Sequence, residues 1–143
     1  MSQENVEAIR RGFELWNVAM GGGDEARRQT ALRQMVEEYH PNAELDYSRT
    51  LPDFLPTRGR KAMVSWTEGA REAFGEVRIE PVAYVDAGDA VVVQVQMLVK
   101  GASSGASVGG KFVYVFRYQD EQIISATSYV TMREALEAVG LAE

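Results

Sequence analysis

Two stretches near the end of the chain decide its fold: KFVYVFRY at residues 111–118 and QIISATSYVT at residues 122–131. Successive side chains in both alternate between two faces, a period of two that is typical of β-strands, and the turn at residues 119–121 separates them. Residues 132–141, MREALEAVGL, then follow a helical spacing of apolar side chains. This part of the chain therefore predicts a β-hairpin followed by a short amphipathic helix.

Three amphipathic helices are predicted earlier in the chain. The first occupies residues 2–20, with Ser2 as a candidate N-cap, and three glycines at 21–23 end it. The second spans residues 25–38 and ends at the sequence HPN, residues 40–42, because a residue before proline avoids the helical conformation. The third spans residues 60–74, and Gly75 closes it.

Most of the remaining chain has strand patterns. Strands are predicted at residues 43–47, 77–85, 90–100, 111–118 and 122–131, with loop or edge structure at 51–58 and a flexible hairpin tip at 101–110. Helices followed by a meander of strands indicate one α+β domain over residues 1–143, with the helices packed on one face of an antiparallel sheet.

Strand parity divides the sheet into two faces. The side predicted to face the helices carries Val91, Val93, Val95, Met97, Val99, Phe112, Tyr114, Phe116, Tyr118, Ile124, Ala126, Ser128 and Val130. The outer side carries Gln94, Gln96, Val113, Val115, Thr127 and Tyr129, and it is too apolar for simple solvation. This face predicts a homodimer; the alternative is a monomer whose outer face meets solvent.

Composition excludes several classes of function. A formal net charge of −6 and a pI near 4.9 argue against nucleic-acid or anionic-membrane partners. The chain has no cysteine, which excludes disulfides and thiolate metal sites and fits a reducing cytoplasm. No stretch approaches the ~20 apolar residues that span a bilayer. We therefore expect a cytoplasmic protein that does not enter membranes.

The order of these segments resembles SnoaL-like proteins of the superfamily that includes ketosteroid isomerase and the nuclear transport factor. The matching pieces run nearly end to end: MSQENVEAIRRGFELWN, HPNAELD, RGRKAM, VDAGDAVVVQV and SYVTMREALEAVGL. The resemblance implies a cone-shaped α+β barrel in which a strongly curved sheet wraps around three N-terminal helices. It also implies an apolar cavity, a short C-terminal helix and a dimer through the outer sheet face.

The catalytic groups of two characterised branches are not matched. Ketosteroid isomerase uses a first-strand carboxylate base with a tyrosine and a protonated aspartic acid as an oxyanion hole. The corresponding positions here hold Tyr47, Gly12 and Tyr114. Limonene epoxide hydrolase needs an Asp-Arg-Asp network on neighbouring inward strand positions. Here the inward positions of the corresponding strand hold Phe112, Tyr114 and Phe116, which cannot form such a network. Neither mechanism is expected.

Four residues are candidate acid, base or oxyanion groups. Tyr47 and Tyr114 are inward and can donate a hydrogen bond to a carbonyl or enolate, or they are ordinary buried tyrosines. Asp46 lies among apolar neighbours that can raise a carboxyl pKa, although parity turns it outward and favours a structural hydrogen bond. His40 is the sole histidine in the sequence and is either a proton-transfer group or a cap for the second helix.

The aromatic and methionine side chains of the inward face are the candidate ligand pocket. They are Trp16, Met20, Phe54, Trp66, Phe74, Val95, Met97, Phe112, Phe116 and Ser128. Such residues either line a small-molecule site or form ordinary core. Arg58 and Arg60 beside Gly59 could hold an anion at the cavity mouth or be solvated.

Three functional hypotheses follow. The first is a SnoaL-like protein that binds a small hydrophobic molecule. The second is an isomerase, cyclase or dehydratase that acts on a polyketide-, steroid- or terpenoid-like substrate, and the third is a protein-interaction module with a filled cavity. One histidine and no cysteine leave little for a metal site, and the glycines of 101–110 precede no helix that could hold a phosphate. No cofactor and no metal are expected.

Overall fold

A computed structural model describes residues 2–50, 55–100 and 107–141, and within them four helices pack against one sheet. The helices are α1 Ser2–Ala19, α2 Glu25–Glu37, α3 Arg60–Phe74 and α4 Met132–Ala138. The strands are β1 Tyr39–Asp46, β2 Thr57–Arg58, β3 Glu76–Asp86, β4 Ala90–Lys100, β5 Ser107–Gln119 and β6 Gln122–Tyr129. None of the described helices has the length and apolar character needed to cross a membrane.

The six described strands form one curved, unclosed sheet in the order β2-β1-β6-β5-β4-β3. The predicted α+β cone with three N-terminal helices and a short C-terminal helix is confirmed. The sheet is not antiparallel throughout, however, because β1 and β6 pair in parallel. Bulges interrupt the β3–β4, β5–β6 and β1–β6 ladders, and such irregularities increase the local bending and twist of a sheet.

Local signals in the sequence set the helix ends. The Asp24 carboxylate accepts a hydrogen bond from the Arg27 backbone N–H at 3.1 Å and caps α2. Gly75 ends α3 with φ = +81°, a conformation that glycine adopts at little cost. The Asn17 side chain ties α1 to β3, because its amide donates to the Ile79 carbonyl at 2.9 Å and accepts from the Ile79 N–H at 2.8 Å.

The first strand begins earlier than predicted. Tyr39, His40 and Pro41 belong to β1, not to the end of a helix, because Tyr39 pairs with Ile123 of β6. The Ile123 N–H also donates to the Glu38 carbonyl at 3.1 Å. The prediction that α2 ends near residue 38 is confirmed, and the segment that follows already belongs to the sheet.

The β4–β5 hairpin extends further than predicted. Residues 107–110, expected in a flexible tip, pair with residues 97–100 of β4. The rest of that predicted tip, 101–106, lies outside the described residues, as do positions 51–54 of the predicted 51–58 loop. In the described remainder of that loop, Thr57 and Arg58 form the edge strand β2, which agrees with the prediction of loop or edge structure.

The inner face of the sheet packs against α1, α2 and α3. Its cluster includes Val91, Val93, Val95, Phe112, Tyr114, Phe116 and Ala126, as parity predicted. Ile123 also joins this cluster, contrary to the predicted parity. The reason is a bulge: Arg117 pairs with Ser125 and Tyr118 with Ile123, so Ile124 is an extra residue that reverses the alternation.

Part of the outer face is covered within the chain. The helix α4 packs its fully buried Ala135 against Val92, Val113 and Val115, which are at most 2% exposed. A capping box between Thr131 and Glu134 starts this helix. The apolar residues that led us to expect a partner on this face therefore have an intramolecular cover at this end of the sheet.

Candidate functional site

The main cavity lies between α1, α3 and the inner face of the sheet and has a volume of about 330 Å³. Aromatic and aliphatic side chains from five elements supply most of its wall. The lining residues are Trp16, Tyr47, Arg49, Thr50, Trp66, Ala70, Phe74, Val77, Ile79, Met97, Val99, Gly110, Lys111, Phe112, Tyr114 and Val130. Such a wall suits an apolar ligand held by a few polar contacts.

A smaller side chamber of about 40 Å³ adjoins the main cavity. The two spaces share Trp16, Tyr47, Ile79 and Tyr114 as lining residues. Glu38 and Tyr39 line the side chamber together with residues of α1, among them Ile9 and Phe13.

The structure brings most of the predicted pocket residues together. Trp16, Trp66, Phe74, Met97 and Phe112 line the main cavity, and Phe116 lines the side chamber.

Three predicted pocket residues line neither space. Met20 and Val95 are fully buried core residues. Ser128, also fully buried, shares a 2.8 Å hydrogen bond with Thr50 Oγ1 and so supports the cavity wall from behind. Phe54 lies outside the described residues.

Aromatic rings form a connected group around the two spaces. The Tyr47 ring lies 5.1 Å from the Trp66 ring at 76° and 5.4 Å from the Tyr114 ring. The Phe112 ring meets Tyr114 edge-on at 5.0 Å and 82°. Edge-to-face pairs of this kind contribute roughly 0.5–1.5 kcal/mol beyond their buried area, so they fix the orientation of both tyrosines.

Tyr47 and Tyr114 line both spaces, as their predicted inward position requires. Burial raises the pKa of both phenols well above the usual tyrosine value, and the neighbouring Tyr114 raises the pKa of Tyr47 further. Both hydroxyls are therefore protonated near neutral pH. They can donate a hydrogen bond to a ligand oxygen but do not act as bases there.

Asp46 is turned away from the cavity, as parity predicted. Its Oδ1 accepts hydrogen bonds from the Ser48 N–H at 3.1 Å and the Ser48 hydroxyl at 2.6 Å, and its Oδ2 lies 3.6 Å from Arg49. The hydrogen bond from Ser48 lowers the pKa of Asp46 despite its partial burial. The raised pKa considered from the sequence is therefore not found, and the carboxylate orders the turn after β1.

His40 does not reach either space and does not cap a helix. It lies in β1, where its Nδ1 accepts a hydrogen bond from the Asn42 backbone N–H at 3.0 Å. The structure thus separates His40 and Asp46 from the two tyrosines that were grouped with them.

Sequence reasoning missed the polar residues around the cavity. Arg49 and Thr50 follow the end of β1, and Lys111 lies on the outward parity of β5. No inward pattern identifies them, because Arg49 and Thr50 lie in the turn after β1 and Lys111 lies within β5 on the parity opposite to Phe112. Val77 and Ile79 were also missed, although the alternation of apolar and charged residues in VRIE, residues 77–80, contains that signal.

One polar atom of the cavity wall is unsatisfied. The Trp16 Nε1–H is buried and has no hydrogen-bond partner among the described residues. A buried donor without an acceptor costs roughly 1–3 kcal/mol. The Trp16 ring borders both spaces, although its Nε1 atom is itself fully buried.

The arginines considered as an anion site are already engaged. Arg58 pairs with Glu44 at 2.9 Å. The Arg60 guanidinium donates to the Tyr39 carbonyl at 2.7 and 3.0 Å and to the Glu37 carbonyl at 3.3 Å. Arg60 therefore ties the start of α3 to the junction of α2 and β1. Across the described part of the chain, no three His, Cys, Asp or Glu residues are grouped closely enough to hold a metal ion.

Solved structures share this fold at low sequence identity. TerC, co-crystallized with polyporic acid, has a TM-score of 0.72 at 16% identity over 94% of this chain and 97% of its own. A protein described as a SnoaL-like polyketide cyclase from Jannaschia sp. CCS1 has a TM-score of 0.68 at 20% identity over 100% and 95% of the two chains. SalBIII, an epoxide hydrolase/cyclase-like enzyme with a role in pyran ring formation in the polyether salinomycin, reaches 0.68 at 21% over 91% and 92%.

At these identities the likeness shows the fold alone. No curated protein matches the chain. The profile of the SnoaL-like domain matches residues 9–126, which is well over half of the sequence and includes every residue shared by the two spaces. This chain belongs to the SnoaL-like domain family.

Proposed function

We propose that the protein binds a small hydrophobic molecule in the main cavity. The observation that carries this proposal is a space of about 330 Å³ with Trp16, Trp66, Phe74 and Phe112 in its wall. Polar groups are few there, which is the composition of small-molecule sites in general.

The chemistry of the wall favours binding over acid–base catalysis. No described residue that lines the main cavity carries a carboxylate or an imidazole. Tyr47 and Tyr114 hold their protons near neutral pH, so a catalytic base is missing from this space. Two structural neighbours are described as a polyketide cyclase and as an epoxide hydrolase/cyclase-like enzyme, which supports an organic ring compound as the type of ligand.

The proposal can be tested with the neutral fluorescent probe N-phenyl-1-naphthylamine. The sequence contains two tryptophans, Trp16 and Trp66, and both line the main cavity, so energy transfer from tryptophan to the probe reports occupancy. Ala70→Phe, on the cavity face of α3, places a phenyl ring where the probe would sit. Relieving that overlap costs roughly 1–3 kcal/mol, so the variant should bind the probe about tenfold more weakly or worse. Ala73→Phe, at an exposed position of α3, is the matched control.

The two variants separate cavity binding from adsorption at the surface. We expect Ala73→Phe to bind the probe like the unchanged protein. Equal binding by the Ala70→Phe and Ala73→Phe variants, or no binding by the unchanged protein, would refute the proposal.

A second candidate function is an isomerase, cyclase or dehydratase, and one observation favours it. Glu38 lines the side chamber together with Tyr39, Tyr47 and Tyr114, which gives that chamber one acidic and three phenolic lining residues. An enzyme of this kind would use Glu38 as the base and a tyrosine as the oxyanion donor. Deuterium exchange at the α-carbons of 2-tetralone, followed by NMR, tests this second function. The protein should accelerate the exchange relative to buffer alone. The Glu38→Gln variant should show no such acceleration.

The remaining hypotheses concern partners and location. The open main cavity argues against an interaction module whose cavity is filled by its own side chains. A homodimer through the uncovered part of the outer face stays a proposal; Leu98 there is 41% exposed. Light scattering of the unchanged protein and of the Leu98→Glu variant tests it. A cytoplasmic location is likewise part of the proposal, because a chain without cysteine loses nothing in a reducing compartment.

A further inference from the structure

One strand position in the wall of the main cavity carries no side chain. Gly110 lies in β5 and lines the cavity. Strand alternation gives it the same inward parity as Phe112 and Tyr114, and Met97, its cross-strand partner in β4, lines the cavity as well. A side chain at position 110 would therefore point into the cavity, and in its absence the backbone itself forms this part of the wall.

The usual structural reasons for a glycine within a strand do not apply to Gly110. Glycine weakens a strand, and it often marks a bulge or a place where another group comes close to the backbone. The β4–β5 ladder pairs residues 90–100 with residues 107–117 without a register shift, so it contains no bulge. Gly110 is not among the described residues with a positive φ. A Cβ atom added to Gly110 would have no heavy atom of the described chain within 4 Å.

The neighbours of Gly110 turn the empty position into a recess. The Phe112 and Met97 side chains project from the same side of the sheet, one along the strand and one across from it. Between them the floor is the planar peptide backbone. The Gly110 carbonyl accepts a hydrogen bond from the Gln96 side chain at 3.3 Å and so already has a partner. Gly110 is exposed, so the recess lies where the cavity opens to solvent.

A flat floor favours a flat ligand. A planar ring can bring all its atoms to about 3.5–4.0 Å from a peptide plane, the distance at which dispersion attraction is greatest. A saturated ring is puckered and brings only some of its atoms to that distance. Because dispersion adds up over atom pairs, the recess should distinguish the two kinds of ring.

We infer that Gly110 determines the shape of the ligand: a planar, fused-ring compound lies with its face on the bare backbone of residue 110, between Phe112 and Met97. This inference rests on the proposed function and specifies the ligand of the same cavity. Any side chain at position 110 would lift the ring off the backbone.

The compounds 2-naphthol and decahydro-2-naphthol test the inference by isothermal titration calorimetry. They share a fused ten-carbon skeleton and a hydroxyl group and differ in flatness. We expect the unchanged protein to bind 2-naphthol about fivefold more tightly or better. Gly110→Ala should weaken 2-naphthol binding about fivefold, since a gap of roughly 0.5–1 Å already forfeits a quarter to a half of the dispersion attraction. Binding of decahydro-2-naphthol should change by less than about twofold.

A second glycine provides the matched control. Gly69→Ala, at an exposed position of α3 that lines neither space, adds the same methyl group and should alter neither affinity. Thermal unfolding checks that the Gly110→Ala variant is folded. Its midpoint should be unchanged or higher, because the added methyl group meets no described atom and alanine restricts the unfolded chain.

Each result has a defined meaning. The inference is overturned by equal affinities of the unchanged protein for the two compounds, by 2-naphthol binding that Gly110→Ala does not weaken, or by equal weakening of both. A lower unfolding midpoint for Gly110→Ala would also overturn it, since position 110 would then be packed. If both compounds fail while N-phenyl-1-naphthylamine binds, the flat ligand at Gly110 is wrong and the proposed cavity function stands. If none of the three compounds binds, both fail.

Discussion

Two buried alanines should respond in opposite ways to the same substitution. Ala70 borders the main cavity and is 2% exposed, whereas Ala135 is 0% exposed in the packed contact between α4 and the outer sheet face. Leucine at position 70 meets free space. Leucine at position 135 meets Val92 and Val115.

The magnitudes follow from the size of the added group. Replacing alanine by leucine adds three carbon atoms, and their burial is worth roughly 2.4 kcal/mol at about 0.8 kcal/mol per carbon. Fixing the leucine side chain costs about 0.5–1 kcal/mol. Ala70→Leu should therefore stabilise the fold by about 1.5 kcal/mol, whereas overpacking should make Ala135→Leu destabilising by roughly 1–3 kcal/mol.

Urea unfolding at constant pH measures both effects, and the slope of the transition shows whether the unfolded states are comparable. In thermal unfolding, the two variants should shift the midpoint in opposite directions by about 4 °C per kcal/mol. If Ala70→Leu destabilises the protein as much as Ala135→Leu, residue 70 does not face a cavity and the reasoning is refuted.

Three further substitutions test local features. Thr131→Ala removes the capping box with Glu134 and should cost about 1 kcal/mol in urea unfolding; an unchanged midpoint would show that α4 does not depend on its cap. Glu121→Gly should stabilise by up to about 1 kcal/mol, because Glu121 has φ = +68°, and a loss of stability would contradict the turn geometry. Asp46 has a folded-state pKa below its unfolded value, so its hydrogen bond to Ser48 stabilises above about pH 4 and is lost as pH falls further. Asp46→Asn should flatten the acid dependence of stability below pH 4, and an unaltered pH profile would argue against that role.

The sequence predicted elements whose signals are local. The helix at 60–74 and the strand at 90–100 have the predicted ends, because apolar periodicity, Gly75 and a turn-forming segment mark them. The strand at Tyr39 was missed since its partner, Ile123, lies far along the chain. The position of Tyr39 continues the apolar spacing of α2, so no local pattern shows whether this residue ends the helix or begins a strand.

The sequence predicted the cavity-lining residues only where the two-residue alternation of a strand continued without interruption. Phe112, Tyr114 and Met97 line the spaces because two-residue alternation holds through β4 and β5. Parity failed at the bulge beside Ile123, which needs the register of two strands to be seen. It also gave no information about Arg49, which lies in the turn after β1, or about Lys111, which has the outward parity of β5.

An apolar cavity of this size has consequences for stability. A sealed, empty void of about 330 Å³ would cost on the order of 8 kcal/mol at roughly 24 cal/mol per Å³, which is comparable to the whole stability of a typical domain. Val130 and Lys111 are exposed and line the cavity, so the space opens to solvent and does not carry the cost of a sealed void. Release of water from aromatic walls would favour the apolar ligand of the proposed function. The rings that line the space are held edge-on to one another and resist collapse into it, as the proposed binding function requires.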